Sequence, residues 1–579
     1  MQKRFPGISF FKLKFYCMKI KIAFMAIAML CFAVSCDQHT HKSSSKNNND
    51  SAQEIALSDV TKGPGKPLPP PPKSVSEDYT VGIIAQEGLK DELISTPVQK
   101  ETDKTVFNTE DYDNIVENKF LAATQNPLST FSIDVDEAAY SNVRRHLENG
   151  SMPPAGAVRI EEMINYFDYV YPKPVNDEPF TVNTEISDCP WSPQHKLVHI
   201  GLQGKEIPVD NLPASNMVFL VDVSGSMDEP NKLPLVQASM NMLVDQLREK
   251  DKVAIVVYAG NAGLVLPSTN GTNKIKIKEA VDNLEAGGST AGGEGIKLAY
   301  KIARENFIKG GNNRIILATD GDFNVGPSSD DELVRIVEQE RKSGVFLSVL
   351  GYGMGNYKDN KMQQLADKGN GNHSYIDNIN EARKVLVSEF GSTLFTIAKD
   401  VKIQIEFNPA KVQAYRLVGY ENRMLASEDF NDDAKDAGEL GSGHTVTALY
   451  EVIPVGVKDD FSKSVDPLKY QKNDKKIVTG TNEIMTIKLR YKKPDEDESK
   501  LIVHPVMDNN ISLASTSDNF RFSAAVAEFG LLLRSSEYKQ QSSYQQVVSM
   551  AKSAKGTDDN GYRAEFIRLV QSATSLTKN

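Results

Sequence analysis

From Asn216 to about Lys399, short apolar runs alternate with stretches whose apolar residues recur every three or four positions. Six strands are predicted: one from Asn216 ending at Asp222, then Lys252–Tyr258, Gly263–Pro267, Arg314–Thr319, Val345–Gly351 and Asn372–Ile376. Helices are expected near Lys232–Glu249, Lys274–Leu284, Glu294–Phe307, Asp331–Lys342 and Asn360–Lys368, with a closing helix from Glu381 to about Ala398. Such alternation implies an α/β fold, a mainly parallel sheet covered on both faces by helices.

The flanks read differently. Ahead of this region Ser129–Asp136 alternates apolar and polar residues as a half-buried strand does, helices follow at Glu137 to about Asn149 and Arg159–Phe167, and Phe180–Ser187 and Lys196–Gln203 are strands. Behind it lie strands Val401–Phe407, Ala414–Leu417, Thr445–Val452 and Ile484–Arg490, with Gly/Asp-rich loops such as Glu428–Gly443, then helices Phe520–Ser535 and Tyr562–Ala573. Isolated strand pairs are marginal in water, so the two flanks are expected to complete one β-sandwich into which the α/β domain is inserted.

The first α/β strand ends in Asp222-Val-Ser224-Gly-Ser226, three oxygen-bearing side chains two apart, just past a carboxyl strand end, where open α/β sheets bind ligands. Thr290 lies in the glycine-rich loop Ala286–Gly293, which opens a helix, and Asp320 follows the strand Arg314–Thr319. Two carboxylates and small hydroxyls are hard oxygen ligands, suited to Mg²⁺ or Mn²⁺. In this order and spacing, Asp222, Ser224, Ser226, Thr290 and Asp320 resemble the metal-ion-dependent adhesion site of von Willebrand factor type A domains. Asp322 and Asn324 either assist the ligands or shape the turn after Asp320, as Asp, Asn and Gly commonly do.

The resemblance implies a Rossmann-like domain with a six-stranded sheet and a cation that keeps one coordination position for a partner's carboxylate. Residues from about Asp111 to the end resemble bacterial lipoproteins of this kind, with a small domain before the A domain and a domain of unknown function after it. The expected organisation is a signal peptide over 1–35, a polar and proline-rich tether over 36–110, a small α+β domain with flanking strands over 111–213, the A domain over 214–399, and a β-rich and helical domain over 400–579.

At the front, Met18-Lys-Ile-Lys precedes the apolar run Ile22–Val34, the form of a secretory signal, too short for a permanent span. Ala33-Val34-Ser35-Cys36 resembles a bacterial lipobox, implying lipid on Cys36 and export to a cell-envelope membrane, facing the periplasm or the exterior. Either Met1 or Met18 is the start. Gly65-Lys-Pro-Leu-Pro-Pro-Pro-Pro-Lys73 and the Ser/Asn tract before it suit a spacer. Of the cysteines only Cys189 lies beyond this region, which excludes a disulfide framework and makes it a small packed side chain.

Several functions are disfavoured. A formal net charge of −11 argues against a nucleic-acid footprint. Neither H-E-x-x-H nor a G-x-x-x-x-G-K-[ST] phosphate loop occurs, and His195 and His199, four apart, fall in a strand where they do not meet as on a helix. A phosphatase or phosphotransferase with Asp222 as nucleophile would want D-x-D, but Ser224 stands at the second acid. Asp134 and Asp136 are read as solvent-facing rather than as a second metal pair. The expected function is divalent-cation-dependent protein binding, in adhesion or assembly, on a membrane-anchored lipoprotein and without enzymatic activity. The alternative is a scaffold whose metal is purely structural.

Overall fold

The computed structural model describes residues 109–175, 177–288, 292–321, 330–389, 395–461, 480–494 and 496–577. The predicted signal peptide, Cys36 and the tether as far as residue 108 lie outside them, as do Thr290, Asp322 and Asn324, whereas Glu110, expected to end the tether, is folded in and accepts two hydrogen bonds from Arg145.

The α/β region forms a six-stranded sheet in the order His373–Ile376, Phe346–Tyr352, Asn312–Thr319, Ser215–Asp222, Lys252–Tyr258 and Ala262–Asn270. Neighbours pair in parallel except the last two, which form an antiparallel hairpin. Ser215–Asp222 is central and buried along its whole length, which is why it reads as an unbroken apolar run. Its residues alternate between two cores: Met217, Phe219 and Val221 pack with the helix Leu233–Gln246, and Val218 and Leu220 with the helix Gly292–Glu305. Gly295 is needed for that second contact, because a Cβ there would lie 2.9 Å from the Cβ of Tyr258.

Two further sheets are built from both flanks. One runs Leu121–Ala122, Val412–Val418, Thr445–Pro454, Ser192–Gly204, Phe180–Cys189 and Asn510–Ile511. The other runs Gly438–Gly441, Thr396–Phe407, Glu483–Lys492 and Lys500–Met507, with Leu128–Ser132 also paired to Thr396–Phe407. Thr445–Pro454 pairs with Ser192–Gly204 over eight residues, Thr445 opposite Gln203 through Val452 opposite Lys196. The α/β domain is therefore an insertion between strands that must come together afterwards.

The strand Thr445–Pro454 is buried on both faces. Val446, Ala448, Tyr450 and Val452 join the core between the sheets, while Leu449 joins a second core beneath the helices Asp518–Leu533, Tyr544–Ser553 and Tyr562–Leu576. Trp191, Leu197, and Tyr140 and Val143 of the helix Ala138–Glu148 complete that second core. Cys189 is buried in it too. Among the described residues no helix is long and apolar enough to cross a membrane.

Three expectations need correction. The closing helix is short, Ile379–Arg383 followed by one wider turn, Lys384–Ser388, and Thr396 to Ala398 already belong to a sandwich strand. The alternation Phe395-Thr396-Ile397 outweighs the helical pattern, with Phe395 and Ile397 buried. The strand expected over Ser129–Asp136 stops at Ser132. Asp136 does not face solvent, and Asp134 does so only in part: Arg423 donates to both, at 2.9 and 3.0 Å respectively, and the backbone N–H of His373 donates to Asp136 at 2.7 Å. Arg423 also pairs with Asp367 at 2.9 Å, tying the sandwich to the inserted domain.

Candidate cation site

Asp222 terminates the central strand with its carboxylate wholly buried. Its Oδ1 accepts the Ser224 backbone N–H at 2.9 Å, and its Oδ2 accepts the hydroxyls of Tyr258 at 3.1 Å and Thr319 at 3.2 Å. Burial, with the charge of Asp320 adding to it, pushes the Asp222 carboxyl up to about 6. The Ser224 and Ser226 hydroxyl oxygens lie 3.1 Å apart where the chain turns into a short 3₁₀ segment, Gly225–Asp228. Asp320 is also wholly buried; its Oδ2 accepts Lys232 Nζ and Asn356 Nδ2, each at 3.1 Å.

The glycine-rich loop is stitched to the serine loop. Gly225 N–H donates to the Gly288 carbonyl at 3.1 Å, and Gly287 N–H to the Val223 carbonyl at 2.7 Å. Gly288 has φ +85°, which side chains rarely tolerate. These bonds bring the chain just ahead of Thr290 beside Ser224, while Thr290 itself lies outside the described residues.

The structure thus gathers Asp222, Ser224, Ser226 and Asp320 at the carboxyl end of the sheet. The residues fit a hard divalent cation: two buried carboxylates next to two convergent hydroxyls form an all-oxygen set that positive charge between them would stabilise. Four neighbours escaped sequence reasoning. Tyr258 and Thr319 hydrogen-bond Asp222, and Lys232 and Asn356 hydrogen-bond Asp320. Thr319 was adjacent to a named ligand, but Lys232 carried no signal, since its contact spans 88 residues of sequence.

Elsewhere, His195 is enclosed. Its Nδ1 is 2.6 Å from Glu451 Oε1 and its Nε2 2.8 Å from Asp459 Oδ2, and the other Glu451 oxygen accepts Trp191 Nε1 and Arg416. Burial opposes a charge on the ring, but the two carboxylates outweigh it and hold His195 above its ordinary value. His199 instead contacts the Tyr171 hydroxyl at 3.0 Å and is pushed down to about 4 by burial. The two histidines serve separate contacts.

Comparison with known proteins matches this architecture. Three family models align in succession: "von Willebrand factor" over residues 106–199, "von Willebrand factor type A domain" over 216–386, and "Uncharacterized protein YfbK, C-terminal" over 392–576. The chain is thus a von Willebrand factor type A domain protein. It is 46% identical over 477 residues to "Uncharacterized protein YfbK" of Escherichia coli, covering 80% of this chain and 81% of that one, and it belongs to that family. It is also similar to "Uncharacterized protein sll0103" of Synechocystis, 23% identical over 54% of this chain and 69% of that one. Among solved structures it resembles a von Willebrand factor type A protein from Catenulispora acidiphila, with a TM-score of 0.37, 14% identity and coverage of 78% of this chain and 91% of that one.

Proposed function

We propose that this protein is a divalent-cation-dependent protein-binding module. Asp222, Ser224, Ser226 and Asp320, joined by Thr290, would hold Mg²⁺ or Mn²⁺, and a partner's Asp or Glu carboxylate would complete the coordination. The observation that carries this reading is the convergence of two buried carboxylates with two hydroxyl oxygens that lie 3.1 Å from each other, at the carboxyl ends of two neighbouring strands. When bound, the ion supplies a Lewis-acidic contact for an oxygen ligand. Ser224 and Ser226 offer neutral oxygens, and Asp222 and Asp320 each share their charge with donors of the chain, Lys232 among them, so the ion would keep residual positive character for a partner's carboxylate. Tyr258 and Thr319 orient Asp222.

A catalytic role is disfavoured. A nucleophilic aspartate must reach its substrate, but Asp222 is fully buried and engaged by three donors. Type A domains commonly serve in protein interaction, which fits a binding role. The lipobox-like Ala33–Cys36 supports lipid on Cys36 and a place on a bacterial cell-envelope membrane, from which the A domain would meet its partner. Labelling with a fatty-acid analogue should mark wild type and spare Cys36→Ala; equal labelling of both would refute the anchor.

Chemical cross-linking in membrane extract, with and without chelator, tests the function. The proposal requires a cross-linked partner that disappears on chelation and in Asp222→Ala. A partner retained under both conditions would move binding to the flanking sheets and leave the metal structural.

A further inference from the structure

A buried arginine lies at the other end of the sheet. Arg314 is the third residue of the strand Asn312–Thr319, whereas Asp320 follows its last residue, so the two are about 20 Å apart along the chain direction. Arg314 is 2% exposed. Its guanidinium lies over the Phe346 ring, 5.6 Å from the centroid, and Nη1 donates to Ser348 Oγ at 2.7 Å. Its Nε is buried and has no hydrogen-bond partner, and among the described residues it makes no ion pair. A guanidinium carries five donors. Burying it with a single hydrogen bond is costly unless something else pairs with it.

Arg314 lines a cavity of about 190 Å³ between the inserted domain and the sandwich. Glu439, Asp367 and His444 line it too. Asp367 bonds Arg423 through Oδ2, but its Oδ1 is buried without a partner. Glu439 influences Arg314 electrostatically without reaching ion-pair distance, and burial together with Asp400, Asp436 and Asp134 pushes its carboxyl up to about 8. Burial pushes Arg314 down to about 10. An unused donor of Arg314 and an unused acceptor of Asp367 therefore belong to side chains that line one small space without pairing across it.

We propose that this cleft binds a small zwitterion of the free α-amino-acid class, its carboxylate on the Arg314 guanidinium and its ammonium toward Asp367 and Glu439. A planar carboxylate matches the guanidinium fork, which binds such groups in pairs of charge-assisted hydrogen bonds. An anion without an ammonium would leave the buried Asp367 Oδ1 unpaired. A cation without a carboxylate would leave Arg314 unpaired and repelled. The volume admits a compact solute and excludes a folded partner. This inference is independent of the cation reading, being carried by different residues at the opposite end of the sheet.

The test is calorimetric titration of the full-length protein with glycine, L-alanine, L-glutamate and L-lysine separately, with propionate, n-propylamine and inorganic phosphate as partial mimics. At least one amino acid should bind, more tightly than propionate or phosphate, while propylamine should not. Arg314→Met should weaken that binding about 10- to 100-fold, the scale of lost hydrogen bonds to a charged group. Asp367→Asn, a change nearer the cavity rim, should weaken the amino acid more than propionate and guards against misfolding of the Arg314 variant; Mg²⁺ titration of both should match wild type. No binding by any of the four amino acids, binding undiminished in Arg314→Met, or tighter binding of phosphate would overturn the assignment.

Discussion

The ammonium of Lys232 lies 3.1 Å from Asp320 Oδ2 and 3.0 Å from the Ser226 carbonyl, with the two side chains 4% and 0% exposed. A positive charge of the chain's own thus rests on one of the two carboxylates proposed to hold the cation. Removing one partner of a buried ion pair typically costs about 3–5 kcal/mol, because the other charge stays buried alone. Lys232→Met should therefore melt well below wild type in chelator and recover more stability than wild type when Mg²⁺ is added. Equal gains from Mg²⁺ in both proteins would show that Lys232 and the cation do not share Asp320.

The hydroxyls of Tyr258 and Thr319 touch Asp222 rather than the proposed ion position. Groups that orient a ligand commonly contribute about 10- to 100-fold in metal affinity. Tyr258→Phe preserves the ring and removes only the hydrogen bond, so it should weaken Mg²⁺ binding on that scale while the fold stays intact by circular dichroism. Unchanged affinity would mean that Asp222 needs no such orientation.

The pH response isolates His195. Its pKa is raised in the folded state, so its contribution to stability is fully present below about 6.5, the ordinary value, and is lost as pH rises through the folded value. The groups facing it are Glu451 and Asp459, with Arg416 bonded to Glu451 and Phe120 edge-on to the ring. The stability of wild type minus that of His195→Gln, measured by denaturant unfolding, should shrink with rising pH. Subtracting the variant cancels the opposite slope at acid pH from His199 and His444, both pushed down to about 4 by burial. A difference that stays flat or grows would contradict the charged, doubly paired ring.

Because Thr445–Pro454 pairs with Ser192–Gly204, and Thr396–Phe407 with Leu128–Ser132, neither flank owns a complete core. The segment from residue 395 onward, expressed alone, should lack a cooperative unfolding transition. A single sharp transition would show that the carboxyl flank folds without its partner strands.

The inserted domain was legible because its strands are buried on both faces and stand as apolar runs, as Ser215–Asp222 and Asn312–Thr319 do. Asp222, Ser224, Ser226 and Asp320 were legible because they follow those runs directly. Other elements were not. The strand Lys500–Met507 lies at a sheet edge, holds Pro505 and exposes Leu501 and Val503, so its pattern resembles a loop. Gly438–Gly441 lies inside a stretch read as loop, and the helix Tyr544–Ser553 was not predicted; it packs Val547, Met550 and Ala551 beside the longer Asp518–Leu533. Lys232 and Arg314 escaped for another reason, since their roles depend on contacts that no local pattern encodes.

Asp222, Ser224, Ser226, Thr290 and Asp320 are proposed to hold one divalent cation. Isothermal titration of the purified, chelator-treated protein with Mg²⁺ and then Mn²⁺ measures this directly. Saturable binding of one ion per chain is expected, abolished in Asp222→Ala and Asp320→Ala, which each remove a formal charge, and weakened less in Ser224→Ala and Thr290→Ala, which remove neutral oxygens. Binding by Asp222→Ala with the affinity of wild type, or no binding by wild type at all, would contradict it.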